Sequence, residues 1–565
     1  MECNAYAKQT MSTEECTLHH PTLQRTLRGT SSASTTQFRN LKYASIPARY
    51  KDSIPDDRLE VGEDGVFDAT QFGPSCPQLR GAQAWDLTLV GDAVLPCSPG
   101  QGDTERMNEF DCLNVIVTVP KDIPSDAKSG GRGLPVFVWV HGGGLSIGAN
   151  SWPQYDLLRF VQRGVETGKP FIGVSIAYRV NVFGFLASDE IGAAGNMGYK
   201  DQVLAFRWVK KHIAGFGGDP NNITTAGESA GAISLSTLLC ANVGDEGLFE
   251  RVVIMSGEAS LRKWRNKWWH QKMCEDQSTY LKIESNDIES RRRILLDTDA
   301  EELAQRLPLA QHFAATVDGQ FFTQEVTIES IMDGSSAVHK PSWCKEFVIG
   351  DTEHDALILK GRLLDQPNSF GRLLKACETH LSPLETLGLL QAYLIDGNVS
   401  KEVRGERLLV LASELRFYLP ALAAYRGWEA LSPPRPASRY HFHVPNPIDG
   451  PFKGLAAHEL DVAYLFQNFD PYFSDGDRRI ARAMQDQFIR YIHGEGWVED
   501  GNMLVFDKDG TTVIDDERYD EMYRKRRGSL LEKIEMERLW RVAEMWQGVR
   551  QEEEQYANFS GDSKL

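Results

Sequence analysis

TTAGESAGA, residues Thr224 to Ala232, sets G-x-S-x-G at Gly227, Glu228, Ser229, Ala230 and Gly231. A serine in this pattern is exposed where a strand turns abruptly into a helix, because small flanking residues let the two backbones approach. The flanks fit. Asn221-Asn222 reads as a turn, Ile223 to Ala226 as a short β-prone run, and Ala232 to Cys240 (AISLSTLLC) as an apolar segment of helical length. Ser229 is therefore the candidate nucleophile. Taken alone, the pentapeptide is equally a glycine-rich turn beside a core helix, so the rest of the chain has to decide.

Outward from the elbow, apolar runs alternate with helical patterns. Asp111 to Pro120 (DCLNVIVTVP), Leu134 to Val140 (LPVFVWV), Pro170 to Ala177, Phe249 to Ser256, Phe347 to Gly350 and Tyr440 to Val444 read as strands, and the unbroken ones suit burial on both faces. Tyr155 to Thr167 and Gly195 to Ile213 read as helices between them. Such alternation predicts an α/β fold built on a doubly wound, mostly parallel sheet with ligands at the carboxyl ends of its strands. Leu261 to Gln320 and Pro383 to Arg426 read as helical excursions roofing that sheet. Residues 1–35, rich in Ser, Thr and Gln without periodicity, are expected to be a mobile extension, 36–550 a single domain, and 551–565 a tail. A charged helical pattern from Ser529 to Tyr556 presents Leu530, Leu531, Ile534, Leu539, Trp540, Val542 and Trp546 as its candidate buried face.

The net charge of -18 disfavours nucleic acid or an anionic membrane as partner and favours a neutral or cationic small molecule. The N-terminal residues show no secretory pattern and no run reads as long and apolar enough to span a bilayer, so a cytoplasmic location is expected. Nine cysteines, an odd number, leave at least one unpaired.

A serine nucleophile needs a base, an acid that orients the base, and backbone donors for the oxyanion. HGGG at 141–144 directly follows a buried strand, and its glycines permit the turn that aims successive NH groups at one point. Gly143, Gly144 and the NH of Ala230 are the candidate oxyanion hole. Among thirteen histidines, His458 stands out in GLAAHELDVAYLF (454–466), a glycine-led loop entering an amphipathic helix far downstream of Ser229. His441 and His443 share a strand face but lack a third ligand with metal spacing, and DKDG at 507–510 reads as a hairpin turn rather than a calcium loop. No cofactor or metal is implied.

The chain resembles the type-B carboxylesterases, which include cholinesterase-like and lipase-like α/β-hydrolases. The resemblance spans about residues 38 to 548. It rests on DCLN at 111–114, VWVHGGG at 138–144, YR at 178–179, FGFL at 183–186, GN at 195–196, DQ at 201–202, FGGDPN at 216–221, the elbow, DG at 318–319 and AH at 457–458. It implies cleavage of a carboxylic ester through an acyl-enzyme, with Ser229 as nucleophile and His458 as base. The family's usual acid, a glutamate followed by glycine, is replaced in GDTEHDA (350–356) by Asp355 followed by Ala356, leaving Asp351 and Glu353 as rivals to Asp355. The resemblance also aligns Cys76 and Cys112 with a disulfide of secreted members. The same triad serves acyl transfer or lactone opening, and some relatives are non-catalytic adhesion or scaffold proteins, although those are damaged at the nucleophile.

Overall fold

Thirteen strands form one sheet, seen in a computed structural model that describes residues 14–95, 105–122, 133–284, 287–308, 312–396 and 399–548. In chain order they are β1 (Glu14–His20), β2 (Arg25–Ser31), β3 (Thr35–Lys42), β4 (Val66–Asp68), β5 (Asn114–Pro120), β6 (Leu134–Val140) and β7 (Ile172–Ile176). There follow β8 (Gly218–Glu228), β9 (Arg251–Met255), β10 (Glu346–Thr352), β11 (Ala437–Phe442), β12 (Met503–Asp507) and β13 (Gly510–Ile514). Their spatial order is β1-β2-β3-β5-β7-β6-β8-β9-β10-β11-β12-β13, with β4 beside β2. From β7 to β12 every neighbour is parallel, while β1, β2, β3, β5 and β13 run antiparallel at the edges. The predicted doubly wound sheet is thus observed, and DKDG forms the tight β12–β13 hairpin.

β6 shows why the apolar run is unbroken. Val136, Val138 and Val140 pack into the core on one face, and Phe137 and Trp139 into the core on the other. All seven of its residues are buried. A third apolar cluster, including Leu357, Leu363, Leu411, Leu415, Trp540 and Trp546, holds the helical roof together.

The N-terminal expectation is corrected: residues 14–31 form β1 and β2, and His20 is anchored by a 3.0 Å contact of its Nε2 with the His212 carbonyl and by packing on Phe216. The inward positions of β2 are Leu27, Gly29 and Ser31, so two small residues hide an alternation that burial makes real. Residues 1–13 and the tail 551–565 lie outside the described residues. As far as residue 548, the Ser529 to Tyr556 pattern forms two helices, Gly528–Leu531 and Met536–Gln547; of its seven candidate apolar residues all but Leu530 are buried. One helical stretch, Lys401–Glu429, does reach the length and apolarity of a membrane span, contrary to expectation. Its apolar window is 94% buried, which marks it as a core helix of the roof.

Candidate active site

β8 ends at Glu228 and a helix begins at Ala230, leaving Ser229 alone at the corner with φ 52° and ψ −120°. Such a backbone costs a non-glycine residue on the order of 1–3 kcal/mol and persists only where the surroundings fix it. Here the Ser229 NH donates to the Met255 carbonyl (2.9 Å), and its own carbonyl accepts from Ile233 (2.8 Å). The flanking glycines are sterically required: a Cβ on Gly231 would lie 2.1 Å from the Val140 carbonyl oxygen, and one on Gly227 2.9 Å from the same atom.

The HGGG loop runs beside the corner. Gly143 (φ 96°) and Gly144 (φ 64°) both adopt left-handed backbone, and the Gly143 carbonyl accepts from the NH groups of Ser146 and Ile147, each at 3.0 Å. A Cβ on Gly143 would meet the Ile147 carbonyl oxygen at 2.2 Å, whereas one on Gly144 would have open space up to the Arg262 guanidinium at 3.4 Å. Ala230 is the first residue of its helix, so its NH has no intrahelical acceptor.

His458 lies on the loop after β11, ahead of the helix Leu460–Phe466. That helix is buried all round rather than amphipathic. The three rival carboxylates of the β10 end are sorted by geometry, because each meets a different histidine. Asp351 meets His441 Nδ1 at 2.8 Å, Glu353 meets His443 Nδ1 at 3.3 Å, and Asp355 accepts from His458 Nδ1 at 2.6 Å. Asp355 is fully buried, and its second oxygen accepts the Thr352 NH at 2.9 Å. The loop is pinned by His354, whose NH donates to the Ala456 carbonyl (2.9 Å), and by Ala356, whose NH donates to Ser413 Oγ (3.1 Å). This leaves His441 and His443 as structural strand and turn side chains. The Nε2 of His458 carries no hydrogen bond among the described residues, to Ser229 or otherwise. Catalytic hydrogen bonds are often long or misaligned before substrate arrives.

Sequence reasoning missed the acidic surroundings of His458. Glu228 Oε1 stands 3.1 Å from His458 Nε2 without hydrogen-bond alignment. Asp86, Glu228, Glu459 and Asp461 are all buried, and burial followed by mutual repulsion raises Glu228 well above the usual carboxylate range. Asp461 is pushed up to about 7, chiefly by burial. The Tyr155 hydroxyl touches both Asp86 and Glu459. Burial is the largest cause that raises both carboxyl groups above their usual range. The signal available in sequence was Glu228, the variable residue of G-x-S-x-G.

Ser229, His458, Gly143 and Gly144 line one cavity of about 750 Å³. Its wall also includes Asp86, Leu261 to Lys263, Arg265, Leu357 to Arg362, Asp365, Arg416, Phe417 and Gln547 to Gly548. The predicted excursions supply part of this wall, but Leu357 to Arg362 and Gln547 to Gly548 lie outside them. Arginines 262, 362 and 416 make the wall cationic, opposite to what the net charge suggested for the substrate. Cys76 and Cys112 are buried free thiols, so the bridge implied by the resemblance is not formed; a hydrogen bond donated to Cys76 and then burial push the Cys112 thiol up. Among the described residues no group of three or more His, Cys, Asp or Glu is placed to hold a metal ion.

Comparison with known proteins follows this geometry. The family model described as the carboxylesterase family matches residues 21–503. Lipase 3 of Yarrowia lipolytica is 28% identical over 489 residues, 85% of this chain and 89% of that protein. Lipase 1 of the same yeast is 35% identical over 241 residues, 42% of this chain and only 45% of that protein. A solved structure of a PNB esterase superposes with TM-score 0.66 at 23% identity, over 92% of this chain and 99% of that one, which carries the fold.

Proposed function

The chain belongs to the carboxylesterase family, serine hydrolases of carboxylic esters, and from that membership we propose that Ser229 is the nucleophile of an ester hydrolase acting on small esters. His458 takes the proton of Ser229 as the hydroxyl attacks the ester carbonyl, then returns it to the leaving alcohol. In the second half-reaction it deprotonates the water that releases the acid. Asp355 holds the Nδ1–H tautomer and stabilises the imidazolium, and Gly143, Gly144 and Ala230 donate to the oxyanion. The observation that carries this reading is the 2.6 Å Asp355–His458 bond in the cavity that Ser229 and the two glycines line. The proposal includes a cytoplasmic location, supported by seven described cysteines that are all free thiols, the state a reducing compartment maintains.

The test is labelling with a fluorophosphonate, peptide mapping of the adduct, and product analysis with a p-nitrophenyl ester. An adduct on Ser229 with one acid and one alcohol released per turnover is expected. Labelling elsewhere, or transfer of the acyl group to an added alcohol in preference to water, would overturn it.

A further inference from the structure

Of the four arginines that line the cavity, Arg262, Arg362 and Arg416 come from three parts of the chain. Arg262 follows the turn Ala259–Leu261, and its Nη2 donates to the Gly144 carbonyl at 3.1 Å, beside the oxyanion loop. Arg416 donates from Nη2 to the Leu261 carbonyl at 3.1 Å and stacks over Trp540, 4.4 Å from the ring centroid. It is 3% exposed, and its Nε and Nη1 have no partner. Arg362 lines the cavity with a buried Nε that also has none. Arg362 and Arg416 each sit in a π-helical segment, Lys360–Leu364 and Glu414–Tyr418. Such segments are rare and recur at functional sites.

Other cations at the cavity are accounted for differently. Lys360 is paired with Asp365 at 2.7 Å, and Arg265 lies over the Trp269 ring. By contrast, no carboxylate forms an ion pair with Arg262, Arg362 or Arg416 among the described residues. Glu544 acts on Arg416 only through space, and burial with mutual repulsion among the arginines lowers Arg262 to about 9. At neutral pH all three remain charged. Arg416 is buried and Arg262 and Arg362 are half-buried; guanidinium groups held partly out of water with no paired carboxylate are costly, and the cost is recovered when an anion arrives. The planar forks of arginine match an oxyanion such as a carboxylate or phosphate.

The geometry points to an anion subsite built by Arg262, Arg362 and Arg416, so that the preferred substrate is an ester carrying a second, negatively charged group, in the first place a carboxylate. This deepens the proposed hydrolase and rests on Ser229 being its nucleophile. The flanking Leu261, Leu357, Ile358 and Phe417 suit an apolar chain joining the ester to its anion.

The experiment compares mono-p-nitrophenyl glutarate with p-nitrophenyl pentanoate, which has the same acyl length without the carboxylate. The native chain should favour the anionic ester in kcat/KM by about ten- to a hundredfold, the worth of charge-assisted hydrogen bonds. The Arg362 Nε has no hydrogen-bond partner among the described residues, so Arg362→Gln should lower kcat/KM for the glutarate ester about ten- to a hundredfold more than for pentanoate and shift the melting temperature little. Arg362→Glu should reverse the preference. Equal use of both esters by the native chain, or a preference that survives Arg362→Gln, overturns the subsite and leaves the hydrolase standing. If neither ester is cleaved, the hydrolase reading fails, and calorimetry on Ser229→Ala decides the subsite: monomethyl glutarate must bind, and Arg362→Gln must abolish that binding. Tighter binding of inorganic phosphate than of monomethyl glutarate would assign the site to phosphate esters and overturn the carboxylate assignment.

Discussion

Around His458 the cavity is backed by buried carboxyl groups, and around Arg262 by guanidinium groups, yet the two regions end in different charge states. A carboxyl group in a dry, acidic neighbourhood holds its proton more tightly, and burial raises Glu228 well above its ordinary range. A guanidinium starts so high that burial brings Arg416 down only to about 10, and the charge stays. A chain of net charge -18 therefore presents a cationic cavity wall. Global charge describes the surface field, whereas a substrate meets only the groups that burial leaves ionised.

If the regions are separable, chemistry and anion recognition should break independently. The largest effect is expected for Ser229→Ala, which should lower turnover on the order of 10⁵- to 10⁶-fold while monomethyl glutarate still binds in calorimetry. Loss of both would merge the two regions into one. Next, Asp355→Asn should lower kcat by about 10⁴-fold, because an amide favours the wrong His458 tautomer. Glu353→Gln, whose carboxylate meets His443 instead, should change steady-state kinetics little; the reverse pattern would reassign the acid. Gly143→Ala, which forces a Cβ against the Ile147 carbonyl, should displace an oxyanion donor and lower kcat by about 10²- to 10³-fold without altering the preference for the anionic ester.

The smallest effect concerns the acidic side alone. The folded chain holds a proton on Asp461 up to about pH 7, whereas an unfolded aspartate releases it near pH 3.9. The stabilisation this proton represents is complete below the unfolded value and lost as pH rises through about 7. Asp461→Asn removes that titration, so its melting temperature relative to the parent should climb between about pH 4 and pH 7 and level off above. A difference that does not vary with pH would show that Asp461 is ionised in the fold.

Legibility followed locality. Ser229, the HGGG loop and the strands of the parallel sheet announce themselves because each depends on residues adjacent in the chain: the glycines that the Val140 and Ile147 carbonyls leave no room to replace, and apolar runs buried on two faces. His458 was found by its order in the chain and its loop. β1 and β2 were missed because Gly29 and Ser31 occupy inward positions where a larger apolar residue would have shown the alternation. The resemblance implied a Cys76–Cys112 bridge, but both cysteines are free thiols.

What the sequence determined by itself was the α/β sheet, the elbow serine and the oxyanion loop, since strand burial and a strained corner are written in neighbouring residues. Only the tertiary structure gave Asp351, Glu353 and Asp355, three carboxylates within five residues, each its own histidine, and set Asp355 against His458. Likewise only the fold brought Arg262, Arg362 and Arg416 to one wall. Burial and the presence or absence of a partner decide which charges survive, and both are set by segments that meet in space while lying far apart in the chain, as Arg262 and Arg416 do at a separation of 154 residues.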